Sequence, residues 1–105
     1  MPGVDFDRLR AAIPMAQVLD LLGFEPVGRS GPQWYGRCPV HQATSPRSRC
    51  FSVNVTLGRY YCHGCRSHGN QLDLWAAVTQ LTLHRAALDL CRRLGREVPW
   101  IHRWR

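Results

Sequence analysis

The sequence predicts an α+β fold in which helices at both ends flank an antiparallel sheet held by a metal. Three observations carry that expectation. Apolar residues recur at helical spacing before residue 23 and again after residue 70. Between them, glycines punctuate short aromatic and β-branched runs, the pattern of strands and turns. That middle stretch also holds two pairs of soft ligands, Cys38/His41 and Cys62/Cys65, each with two residues between its members.

The elements follow in order. Phe6, Leu9 and Ile13, then Val18, Leu21 and Leu22, form two short helical stripes that read as core. Pro14 suits the first position of the second helix, so Ile13-Pro14 is a joint, and Gly23 stops that helix. Strands are expected at Gln33–Arg37, Phe51–Val55 and Arg59–Tyr61, the last two joined through Thr56-Leu57-Gly58. Phe51, Val53 and Val55 alternate with Ser52 and Asn54, which buries one face. Gln42–Arg49 is polar, contains Pro46 and reads as an exposed loop.

Gly69 precedes a helix from about Asn70 to Gln80, with Leu72, Trp75, Ala76 and Val78 apolar. Thr82 caps a last helix through Leu94, whose Leu83, Ala87, Leu90 and Leu94 are expected to face inward, and Gly95 ends it. At 105 residues the chain is expected to be one domain, 1–105, with its core at about 5–95. Residues 96–105 form a basic aromatic tail, whose last six, Trp100 to Arg105, are expected to order on binding.

Small folds bury a modest share of their surface and commonly recruit metal or disulfides. The N-terminus, Met1-Pro2-Gly3-Val4-Asp5, has neither a basic n-region nor an apolar h-region. No apolar run approaches a membrane span. A cytoplasmic location away from membranes is therefore expected, where cysteines serve metals or catalysis rather than disulfides; the odd count of 5 agrees.

Two-residue gaps let both donors of a pair reach one ion from a tight turn, and the twenty residues between the pairs leave room for a hairpin. Three thiolates and one imidazole favour Zn²⁺ over Mg²⁺ or Ca²⁺. Four protein ligands leave no open position for catalysis, so one structural zinc on Cys38, His41, Cys62 and Cys65 is expected, and no catalytic residue. A redox Cys62-x-x-Cys65 would need a βαβ context, whereas the flanks read as a hairpin. Gly64 is expected where the backbone turns sharply. Cys50 and Cys91 read as small apolar residues, and Cys50 in place of His41 would break the first knuckle. His63, His68, His84 and His102 have no spacing that demands metal.

The net charge of +7 comes from 14 arginines and no lysine. Between Glu25 and Asp73 there is no acid, while Arg29, Arg37, Arg47, Arg49, Arg59 and Arg66 all lie there. Such a block attracts a polyanion, although a solubilising surface is the plainer reading of charge alone.

Cys38-Pro39-Val40-His41, then Ser45-Pro46 and Phe51-Ser52-Val53, then Tyr60-Tyr61-Cys62-His63-Gly64-Cys65 with His68-Gly69-Asn70, closely resemble the Cys-His-Cys-Cys zinc-binding domain of DnaG-type bacterial and phage DNA primases. The resemblance extends to the leading helices, to Leu72-Asp73-Leu74, and to Leu83–Leu94 with Glu97-Val98-Pro99. It implies a zinc-ribbon sheet flanked by N-terminal and C-terminal helices, with single-stranded template DNA across the sheet. It also implies a part in primer synthesis during replication, and the zinc ligands Cys38, His41, Cys62 and Cys65. Two departures bear on DNA contact. The loop after His41 is longer than usual and carries Arg47 and Arg49 in place of a Glu-Lys pair, and His63 stands where Phe is common. The clustered carboxylates of the family's catalytic domain are absent, since the seven acids are scattered, so this chain is expected not to polymerise by itself.

Arginine on phosphates and aromatic faces under bases are the chemistry of single-strand binding. Arg37, Arg59 and Arg66 are the expected phosphate contacts, with Trp34 or Tyr60 for stacking; Tyr60 and Tyr61 should fall on opposite faces of a strand. The expected partners of a monomer are single-stranded DNA and a separate primase catalytic chain or helicase. Two other functions fit the composition: a transcriptional or regulatory zinc ribbon on duplex DNA or RNA, and a module whose arginines meet an acidic protein.

Overall fold

The acid-free middle of the chain forms the sheet, and the flanking apolar stripes form helices that cover one of its faces. The computed structural model describes residues 3–41 and 48–100. Most of the polar loop, Arg47 included, and the tail past Trp100 lie outside the described residues. Within the described residues five strands, β1 (Gly28–Ser30), β2 (Gln33–Gly36), β3 (Phe51–Asn54), β4 (Arg59–Cys62) and β5 (His68–Gly69), run antiparallel in sequence order. The expected hairpin joins β3 and β4: Asn54 Oδ1 accepts from Thr56 N and Leu57 N at 3.1 and 2.9 Å. β1 and β5 are additions to the expected sheet, which is the α+β zinc-ribbon arrangement foreseen from the sequence.

Among the described residues, four helices surround the core: α1 (Phe6–Ala12), α2 (Met15–Leu21), α3 (Gln71–Thr79) and α4 (Leu83–Leu94). Asp5 caps α1 and Thr82 caps α4, each accepting a backbone N–H three residues on. Pro14 takes the cap position of α2, one residue before the expected place. Asn70 and Asp73 close a capping box at α3, each accepting from the other's backbone N–H. That box explains Gly69, whose φ is +142°: a Cβ there would come within 2.5 Å of the Asp73 carboxylate.

The core joins Leu9, Ile13, Met15, Val18 and Leu19 of α1, α2 and the joint between them to Phe51, Val53 and Tyr60 of the sheet and to Leu72, Leu74 and Trp75 of α3. The buried face of α4 differs from the expected one. Ala86, Ala87, Leu90 and Cys91 are buried, and Leu83 is 40 % exposed. Two alanines and a cysteine let α4 seat closely on α3, which turns the first-turn leucine outward. Leu21 is likewise exposed, its expected place in the core taken by Met15 and Leu19. Gln71, buried at the start of α3, donates from Nε2 to the carbonyls of Arg10 and Ile13 at 2.8 and 2.6 Å, tying α3 to the α1–α2 joint.

Packing continues past the expected core end near residue 95. Val98 and Trp100 lie against the core, Trp100 pairs with Val4, and Asp5 N donates to Pro99 O at 2.6 Å. The apolar side chains of Val98 and Trp100 find partial cover there. Among the described residues no helix is long and apolar enough to cross a membrane.

Candidate metal centre

Two turns bring the four ligands together. One follows β2 and carries Cys38 and His41; the other joins β4 to β5 and carries Cys62 and Cys65. Their donor atoms all lie within 4.8 Å of one another. Cys38 Sγ and Cys65 Sγ are 3.9 Å apart, and Cys62 Sγ is 3.5 Å from His41 Nδ1. Sulfurs on one tetrahedral zinc, each at about 2.3 Å, stand roughly 3.8 Å apart, so the separations fit that ion. Backbone amides surround the sulfurs: Val40 N donates to Cys38 Sγ at 3.3 Å, and Gly64 N and Cys65 N donate to Cys62 Sγ at 3.3 and 3.4 Å. Burial pushes the Cys38 thiol well above the ordinary thiol range. Such a sulfur gains most from a divalent cation, which favours the thiolate outright.

Gly64 lies in a turn, as expected, but not at its left-handed position. The left-handed residue of this turn is Arg66, with φ at 62°. Gly64 is needed for space, because a Cβ there would stand 3.0 Å from His41 Cε1 and 3.5 Å from Cys62 Sγ. Cys50, expected to be an ordinary apolar residue, lies with its sulfur 3.9 Å from His41 Nε2. Cys91 is buried in the α3–α4 layer, as expected.

Residues opposite one another on neighbouring strands share a face. Trp34, Val53, Tyr60 and Gly69 form one such row, facing the helices; Tyr35, Ser52, Tyr61 and His68 form the next, on the open side. This register bears differently on the two stacking candidates, Tyr60 buried and Trp34 half-buried. Tyr60 is 4 % exposed, stacks on Phe51 and shares a 2.7 Å hydrogen bond with Ser67 Oγ, so no base can reach its ring. Trp34 packs on the core and carries the Arg29 guanidinium 4.4 Å from its ring centroid. Tyr61 is exposed, with His63 and His68 at 4.9 and 6.1 Å. Arg49 reaches over Tyr35 at 5.8 Å and against Gly28. Arg37, Arg59 and Arg66 are all exposed. Arg59 sits beside Asn54 and Gln33 in the outer row of the open face, while Arg37 and Arg66 flank the two knuckles.

Residues 4–103 match the family described as the CHC2 zinc finger, the zinc ribbon of DnaG. The DNA primase of Treponema pallidum (strain Nichols) is 34 % identical over 72 residues, covering 69 % of this chain and 11 % of that protein. The DNA primase of Helicobacter pylori (strain J99) is 32 % identical over 89 residues, covering 85 % of this chain and 15 % of that protein. The chain thus spans a small fraction of the length of these relatives. The crystal structure of the Aquifex aeolicus primase zinc-binding and RNA polymerase domains superposes on 91 % of the chain and 23 % of its own, with a TM-score of 0.70 at 24 % identity. That likeness shows the fold. The four-residue cluster together with the matched family identifies a centre for one structural zinc.

Proposed function

Because the chain belongs to the CHC2 zinc-finger family of DnaG-type primases, we propose that it is a non-catalytic, single-strand-binding module for primer synthesis, with polymerisation supplied by another domain or chain. In this reading Cys38, His41, Cys62 and Cys65 are the zinc ligands, and all four coordination positions are taken by protein. The zinc fixes the two knuckles at one end of the sheet and so holds β2 against β3 and β4. The carrying observation is the open-face row of Tyr35, Ser52, Tyr61 and His68, bordered by Arg49 and Arg59. A single strand laid along that row meets π-faces for its bases and guanidinium groups for its phosphates. Arg37 and Arg66, beside the knuckles, extend the positive border. A monomer suffices for this contact, and a catalytic primase chain or helicase is the expected protein partner.

Fluorescence anisotropy with labelled single-stranded and duplex DNA of one sequence, on zinc-loaded protein, tests the reading. Single strands should bind more tightly, and log K should fall linearly with log salt. Arg59→Ala should reduce the steepness of that slope by about 0.7, the share of one phosphate contact on a single strand. Tyr61→Ala should cost about 1–3 kcal/mol of binding, the usual worth of one stacked base. Equal affinity for both forms would point to duplex recognition. Loss of all DNA binding at low salt by the folded, zinc-loaded protein would point to an acidic protein partner.

A further inference from the structure

A neutral imidazole offers a lone pair from one ring nitrogen and a proton from the other, so a histidine ligand must be held in one tautomer. At His41, Nδ1 faces the cluster, 3.5 Å from Cys62 Sγ, and Nε2 faces away from it, 3.9 Å from Cys50 Sγ. With Nδ1 turned toward the metal position, the ring proton belongs on Nε2, where Cys50 Sγ is in reach to accept it. The sulfur is itself held in place. Ser48 Oγ donates to Cys50 Sγ at 3.2 Å, and Cys50 N donates to Ser48 Oγ at 3.4 Å. The Cys50 carbonyl accepts from His63 N at 2.8 Å, which ties it to the second knuckle. Gly64 closes on the same ring, its missing side chain leaving room for Cε1 and Nε2.

We propose that Cys50 is a positioning residue of the zinc centre: its sulfur receives the Nε2 proton of His41, fixing Nδ1 as the donor to the metal. The fifth cysteine is thereby a neighbour of the centre without being one of its ligands. Groups that orient a metal-bound histidine commonly change metal affinity 10- to 100-fold when removed. The inference rests on the zinc assignment made above.

Cys50→Val keeps the approximate volume and removes the acceptor, whereas Cys50→Ser keeps an acceptor. Two measurements on the purified chain decide the matter: the rate of zinc transfer to a chromophoric chelator, and the ¹⁵N shifts of the His41 ring in the zinc-loaded protein. Cys50→Val should release zinc about 10- to 100-fold faster, with a His41 ring signal displaced or broadened by tautomer exchange. Cys50→Ser should move both readouts back toward wild type. Wild-type behaviour in Cys50→Val would overturn the proposal, as would equal loss in both variants, which marks a packing role alone. Metal-bound shifts on Nε2 in the wild type would also overturn it. A wild-type chain that takes up no zinc would overturn the metal assignment itself, an outcome separate from any difference between variants.

Discussion

Gly64 is where the centre has least room. The His41 ring lies 3.0 Å from the position of an added methyl group, and metal ligation would fix that ring, so the contact cannot relax by rotation. Gly64→Ala should weaken zinc binding by about 1–3 kcal/mol, the usual cost of overpacking. Competition with a chelator of known affinity checks this, and unchanged affinity would show that the turn yields. The four ligands of this centre were legible in the sequence because their spacing encodes a turn, and a turn is local. The side of the sheet that each tyrosine takes was not. Alternation says that Tyr60 and Tyr61 point opposite ways, but which way is inward depends on where α3 packs. In the sequence Cys50 reads as a small apolar residue, since its nearness to His41 arises only after β3 and the first knuckle meet.

At the scale of elements, α3 and α4 are joined by one carboxylate. Asp89 accepts from Arg92 and Arg93 at 2.9 and 3.0 Å and from the Trp75 indole N–H at 3.0 Å. Arg93 also lies 5.4 Å from the Trp75 ring centroid. The hydrogen bond from Arg92, with Arg93 and Trp75 adding to it, lowers the Asp89 pKa to about 2 from an ordinary 3.8. A carboxylate with a depressed pKa stabilises the fold above its unfolded value, and that contribution disappears as pH falls from about 4 to about 2. Thermal melts of wild type and Asp89→Asn should therefore differ above pH 4 and converge toward pH 2. A constant gap across that range would show that the ion pairs add nothing. Helix ends were readable because Asn70, Thr82 and Gly95 carry local cap chemistry. The short strands β1 and β5 were not, because Gly28-Arg29-Ser30 and His68-Gly69 have no apolar alternation. Their pairing comes from neighbours: Gly28 to Ser30 opposite β2, and Cys62 N donating to Ser67 O beside β5.

For the molecule as a whole, the metal position and the apolar core meet: Cys38 and Cys62, at the knuckle end of the sheet, are buried within the core cluster. Structural zinc contributes about 10–16 kcal/mol in small fingers, against roughly 5–15 kcal/mol for the total stability of a small fold. Chelation should therefore abolish the cooperative thermal transition and the near-ultraviolet signal, with part of the far-ultraviolet helical signal surviving. One equivalent of zinc should restore both. An unchanged melting temperature in chelator would mean that the core stands without its metal.

The pairing of Val4 with Trp100 also has a mechanical meaning. Both ends of the described chain leave from one seam, closed by that bridge and by the bond from Asp5 N to Pro99 O. Tension applied through the two ends falls on this seam first and opens it bond by bond, as a zip opens. Cys38, His41, Cys62 and Cys65 lie outside that path until the seam has parted. A tether pulling on the molecule would thus gain length at its ends while the knuckles and the Tyr61 row stay in register.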